Sequence, residues 1–323
     1  MAQPTRYVLS QDIDTNHVVS NPMNLVLLLK RELPRVRSRS FPGKTPTLAA
    51  GFGSSRKIYL GINIQLPGLP LHHSIHAEQF LLANLALNNE RQLTHLAITS
   101  DGIYFDAPSG YCRQFLHETR EASSIQILIK DATRGEAGRF ETLQNLFPRT
   151  IRPTIFFQPL LLEPHDNKLT LSTYHDLVGN ICEELERCNH LNCTALAAAN
   201  RSYTPFTKSS SGVALLDNVG RVYRGWYMET VECGLSLGLV QAALVDFVAR
   251  GGTEFNTIVQ AVLVEKKDAL VSQEKTTRMI LKKITNGNCV INVFHCHLDV
   301  AEQFRRNIIN IEATQGGFGK HIY

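Results

Sequence analysis

A strand-like stretch occurs twice in this chain of 323 residues: Lys57-Ile58-Tyr59-Leu60-Gly61 and, in the second half, Arg221-Val222-Tyr223-Arg224-Gly225. Fifteen residues after Gly61 comes His76-Ala77-Glu78-Gln79, and sixteen after Gly225 comes Gln241-Ala242-Ala243-Leu244. Leu96-Ala97-Ile98 then matches Ala261-Val262-Leu263 at almost the same offset. Two copies of one unit account for three landmarks held in near register, and a duplication requires both halves to fold from the same run of elements.

Within the first copy, Lys57 to Gln65 alternates apolar and polar residues and reads as a strand. Ala77, Phe80, Leu81 and Leu85 recur at helical spacing, which puts His76 at a helix start and makes Asn84 the one polar residue on the stripe. His95–Thr99 reads as a strand, Cys112–Glu118 as a helix and Ser124–Lys130 as a buried strand. Strands alternating with helices through short connections predict an α/β protein, a three-layer α/β/α sandwich duplicated in tandem. The length also suits two domains. Their expected extents are residues 20–165 and 180–310, with the polar stretch Pro164–Asn180 as the linker.

Composition narrows the function classes. The longest apolar run near the start, Leu25 to Leu29, is far below the ~20 residues of a membrane span. The first residues lack the layout of a secretory or transit signal, so the expected location is cytoplasmic, with no membrane partner. The seven cysteines are scattered and read as reduced thiols. Cys182, Cys188 and Cys193 lack a C-x-x-C pair and fit an amphipathic helix. His295 and His297 flank Cys296 in an alternating segment, so they face away from it. A net charge of +4 with no basic cluster among aromatics argues against a nucleic-acid partner, and Arg35, Arg37 and Arg39 read as a solvated loop.

Two stretches carry chemistry: His76-Ala77-Glu78 and Pro108-Ser109-Gly110-Tyr111-Cys112. Zinc nucleobase deaminases have H-x-E followed by P-C-x-x-C. The first part is present literally, and the second reads P-S-x-x-C. Leu69 to Gln79 and Cys112-Arg113-Gln114-Phe115 together resemble the active-site segments of the cytidine deaminase family, and the likeness extends over nearly the whole chain. It implies the long, two-domain, homodimeric type, acting in pyrimidine salvage with one Zn2+ per chain. The family reaction is hydrolytic deamination of cytidine or 2′-deoxycytidine to the uridine counterpart and ammonia. Carried over position by position, the resemblance makes His76 and Cys112 metal ligands, Ser109 the third ligand position, and Glu78 the proton shuttle. It makes Asn63 and Gln65 the substrate-binding pair.

The departures from the family pattern all weaken the site. Serine stands where a thiolate is expected, and a hydroxyl is a poor zinc donor because it does not ionise as readily as a thiol. Gln65 replaces a carboxylate and Tyr111 a histidine, and the run from Ser100 to Asp106 is longer than the family connection. A family phenylalanine is missing around Thr45-Pro46-Thr47. The second copy has Gln241-Ala242-Ala243 in place of H-x-E and no metal loop, and Trp226 and Tyr227 suit packing there. The expectation is a cytidine deaminase impaired at its metal site. Two alternatives stay open: a non-catalytic dimerisation partner or modulator of an active paralogue, and a weak deaminase with His73, Asp106, the serine or water as the third donor.

Overall fold

The structure is a computed structural model and describes residues 7–9, 27–32, 47–100, 105–129, 138–149, 161–171 and 190–299. The described strands form two mixed sheets. The first contains β1 (Val8–Leu9), β2 (Leu48–Gly53), β3 (Ile58–Ile62), β4 (Leu93–Thr99), β5 (Gln126–Ile129) and β6 (Arg139–Thr142), in the order β1-β3-β2-β4-β5-β6. The second contains β7 (Leu169–Leu171), β8 (Ser211–Asp217), β9 (Val222–Trp226), β10 (Ile258–Lys266) and β11 (Val290–Leu298), in the order β7-β11-β10-β8-β9. The helices are α1 (Ala77–Leu87), α2 (Gly110–Leu116), α3 (Leu143–Leu146), α4 (Leu191–Asn200), α5 (Leu239–Ala249) and α6 (Glu274–Ile284).

The ladders repeat residue for residue. Ala50 pairs with Leu60 on one side and Ala97 on the other, and Ala97 pairs in parallel with Leu128. Ala214 likewise pairs with Arg224 and Val262, and Val262 in parallel with Asn292. Parallel neighbours need a crossover, which α2 supplies between β4 and β5 and α6 between β10 and β11.

Close glycine contacts fix the layers. A Cβ on Gly212 of β8 would lie 2.3 Å from Ala199 N of α4. One on Gly225, which pairs with the adjacent Val213, would lie 2.1 Å from Ala243 N of α5. Neighbouring strand positions point to opposite faces, so α4 and α5 cover opposite sides of the second sheet, giving the expected helix–sheet–helix sandwich. In the first sheet Gly61 plays the part of Gly225, its Cβ position falling 2.2 Å from Ala77 O of α1.

Helix α1 also packs against α5, so it is enclosed between its own sheet and the other unit. This corrects the single apolar stripe expected from sequence: every residue from Ala77 to Ala86 is buried, Glu78, Gln79 and Asn84 included. A helix covered all round shows little amphipathicity. Strand β3 differs in the same way, with all five residues buried rather than alternating, because both of its faces are covered.

Three other expectations are corrected. The glycine contacts align Ala77 with Leu239 and Leu81 with Ala243, so the counterpart of His76-Ala77-Glu78 is Gly238-Leu239-Val240, three residues before Gln241-Ala242-Ala243. The connection into α5 is shorter than that into α1, and Gln241 answers Gln79 instead. Part of the expected linker belongs to the second sheet: β7 pairs with β11, and Asn167 Nδ2 donates to the carbonyls of Ala199, Asn200 and Ser202. Helix α2 begins at Gly110, before Cys112, because Ser109 caps it.

The two units share one apolar core. Trp226, 3% exposed, lies beneath the Arg201 guanidinium, which donates to Ala86 O and Asn89 Oδ1 of the first unit. Glu118 reaches the other way, accepting from Tyr203 OH and Val231 N. Cys296 is buried while His295 on the same strand is exposed, as the alternation predicted. Cys193 is buried on α4; Cys182, Cys188, Arg35, Arg37, Arg39, Thr45, Pro46 and residues 101–104 lie outside the described residues. No described helix is long and apolar enough to cross a membrane.

Candidate active site

Two helix starts meet at the site. His76 is the N-cap of α1, and its backbone N–H donates to Gln79 Oε1 at 3.0 Å, so the cap is closed by the fourth residue of H-A-E-Q. Glu78 follows in the first turn, where the helix dipole favours a carboxylate, and is 5% exposed. On the facing element Ser109 is the N-cap of α2, its Oγ accepting from Cys112 N at 3.2 Å. Arg113 locks this loop by donating from Nε to Pro108 O and from Nη1 to Leu146 O, both at 2.6 Å.

Among the described residues, one group of three or more His, Cys, Asp and Glu donors lies close enough to hold a metal ion: His76, Glu78 and Cys112, with donor atoms within 4.8 Å of one another. His73 and Asp106, considered as substitute donors, are not in it. His73 sits in a 3-10 turn, Leu71–His73, with its ring against His72. Asp106 lines the adjoining cavity without joining the cluster.

That cavity, of about 550 Å³, is lined by Asn63, Gln65, His76, Glu78, Asp106 and Ser109, among others. Of the residues nominated from sequence, Cys112 and His73 are not on its wall; Cys112 is fully buried. Asn63 is partly committed, because its Oδ1 accepts from Thr47 N at 2.7 Å.

Burial dominates the electrostatics. It pushes the Glu78 carboxyl upward, opposed by its own backbone N–H, by Cys112 and by His76. Burial also pushes the Cys112 thiol up, and the nearby Glu78 charge adds to that. A cation between them would reverse both trends.

The donor set does not fit a catalytic zinc site. Such a site needs three protein ligands, an open fourth position, and a separate group to move protons. Here there are one imidazole, one buried thiol and a neutral hydroxyl, a weak donor of which one lone pair already serves the Cys112 N–H. Among the described residues a third strong ligand is available only by using Glu78, whose carboxylate would then not be free to move protons.

Sequence reasoning missed two residues that shape the site. Gln79 closes the His76 cap, and Arg113 staples the metal loop. Both stood inside the quoted motifs H-A-E-Q and C-R-Q-F, yet the partners that explain them are backbone atoms a motif does not show. Tyr111, noted only as a departure, stacks on His76 with ring centroids 5.1 Å apart and planes at 14°.

Comparison with known proteins places these observations in a family. The family model described as "Cytidine and deoxycytidylate deaminase zinc-binding region" matches residues 143–278, which include none of the clustered donors. Cytidine deaminase 8 of Arabidopsis thaliana is 48% identical over 297 residues, covering 92% of this chain and 100% of its own length. A second protein of that plant, named "Probable inactive cytidine deaminase 4", is 39% identical over 298 residues, covering 92% of this chain and 98% of its own. The crystal structure of cytidine deaminase from Mycobacterium leprae aligns with 39% of this chain and 98% of its own, at 22% identity and a TM-score of 0.32.

Proposed function

This chain belongs to the cytidine deaminase family, and from that premise we propose that it is a member whose hydrolytic deamination is impaired at Ser109. In this reading the cavity of the first unit takes cytidine or 2′-deoxycytidine. Asn63 and Gln65 hold the ribose end, and Glu78 faces the base. His76, Cys112 and position 109 are the remnant of a zinc site. The second unit, with Gly238 and Val240 where His76 and Glu78 stand, has a structural role. In this reading the chain is a cytosolic homodimer of the family's two-domain type without a membrane partner, and a net charge of +4 with no basic cluster supports the lack of a nucleic-acid partner.

One observation carries the proposal: the Ser109 oxygen caps α2 through Cys112 N instead of offering an anionic sulfur. Perturbing groups behind metal ligands costs about 10–100-fold in metal affinity or activity. Losing a ligand outright removes at least that much. The reaction needs an activated water and a free carboxylate together, and this donor set supplies one at the expense of the other.

The test is zinc content measured beside uridine formation on the same sample, for the wild type and for Ser109→Cys. The wild type is expected to hold well under one zinc per chain. Ser109→Cys should raise occupancy and speed turnover by roughly tenfold or more. One firmly held zinc per wild-type chain, with turnover that Ser109→Cys does not improve, would overturn the proposal.

A further inference from the structure

We propose that the second unit positions His76 through a brace formed by Tyr111, Gln79 and the turn Cys233–Leu235. Tyr111 OH donates to Gly234 O at 2.9 Å, and Gln79 Nε2 donates to Leu235 O at 3.4 Å. Two consecutive carbonyls of one turn therefore hold the two side chains that touch His76. Tyr111 stacks on its imidazole, and Gln79 accepts from its backbone N–H.

His76 needs such support. It is exposed and sits at an N-cap, outside the regular helix, where the capping box with Gln79 ties it to the first turn and its neighbours must limit rotation of the ring. A stacked aromatic restricts that rotation. Tyr111 is held at its far end by its hydroxyl, which meets Gly234 O and Gln79 and which the family's histidine at this position lacks. Gln79 is 2% exposed, and a buried amide must be paired, which ties its orientation to Leu235.

The origin of the brace is visible in the repeat. Cys233–Leu235 precedes the bridge Met228–Leu237 just as Leu71–His73 precedes the bridge Ile64–Ile75. In the first unit this turn contributes Leu71 to the cavity rim. In the second unit the equivalent rim is turned to support the neighbouring site. Where His76 is held is a separate matter from whether the site turns over substrate.

Tyr111→Phe tests it in the full chain, because it keeps the ring and removes the hydroxyl. Two signals are read: the His76 imidazole resonances by NMR, assigned with His76→Gln, and amide hydrogen exchange over residues 233–237. Loss of one hydrogen bond should speed exchange in the turn about fivefold. The His76 signals should move toward the positions of an unstacked histidine. Gly234→Ala is the control; its added Cβ meets nothing within 4 Å and should change neither signal. His76 resonances unmoved in Tyr111→Phe would overturn the proposal, whether exchange stays constant, rises only in the turn or rises throughout the chain.

Discussion

The two halves build one ladder and then treat the pocket beside it in opposite ways. In the first, the positions after β3 and at the start of α1 open onto a cavity lined by Asn63, Gln65, His76 and Glu78. In the second, the same positions carry Tyr227, Glu229, Gly238 and Val240, and the polar groups turn inward. Glu229, 2% exposed, accepts from Phe206 N at 3.0 Å, from Thr207 N at 3.2 Å and from Thr207 Oγ1. Glu265, also buried, accepts from Gln273 N at 2.7 Å and from Ser272 Oγ at 3.0 Å, tying down the loop ahead of α6. Where one half leaves these side chains on a cavity wall, with Asn63 Oδ1 tied to Thr47 N, the other uses them to hold its own backbone. The scaffold does not decide between these fates.

Substitutions can break that contrast. The largest effect is expected from Glu229→Ala, which empties a buried carboxylate position and strands the half-buried N–H groups of Phe206 and Thr207, and should cost about 3 kcal/mol in a thermal or denaturant melt. Gln65→Ala, its counterpart, should cost under about 0.5 kcal/mol. Equal losses would mean that the two positions do the same job. Gly61→Ala and Gly225→Ala should each cost about 2 kcal/mol, since the new methyl meets helix backbone in both units; these test the sameness of the scaffold. Ser109→Ala removes a cap and should cost about 1 kcal/mol without any change in α5 or α6, as read by hydrogen exchange.

The smallest effect depends on pH. Each unit ends its first hairpin on a carboxylate bound to a tyrosine: Glu90 with Tyr59 OH at 2.7 Å, and Asp217 with Tyr223 OH at 2.8 Å. Burial pushes both carboxyls up, but the hydrogen bonds win and hold both below their ordinary values. A depressed folded value means stability that is present above the unfolded pKa near 4 and lost as pH falls through the folded one. Glu90→Gln and Asp217→Asn should therefore melt lower than wild type at pH 7, with the gap closing in acid. A gap that stays constant with pH would show that charge plays no part.

Much of this was readable in the chain because some requirements are local. The glycines Gly61 and Gly225 mark where a helix backbone touches a strand, and H-A-E-Q marks a cap, so strand, helix start and order of elements were all accessible. The register of the second helix was not. Its entry had lost its polar landmarks and its connection is shorter, so Gln241 was aligned with His76 when it answers Gln79. The all-round burial of α1 is equally hidden, since Glu78 and Gln79 fall off the apolar stripe that carries Asn84 and look solvent-facing until their partners are known. Asn84 bonds Tyr7 O and Leu60 O, and Gln79 bonds a carbonyl in the other half. Partners that far away in sequence leave no local pattern.

The enclosure of α1 has a bearing on how far the first half depends on the second. Each large apolar side chain returned to water costs about 1.5–3 kcal/mol, and α1 contributes Phe80, Leu81, Leu82 and Leu85 to the shared interior. Cleaved away from its companion, the pocket-bearing half would be left with a greasy wall open to solvent and would clump or recruit a substitute. The second half is thus the inner cladding of the first, a part it plays through packing alone.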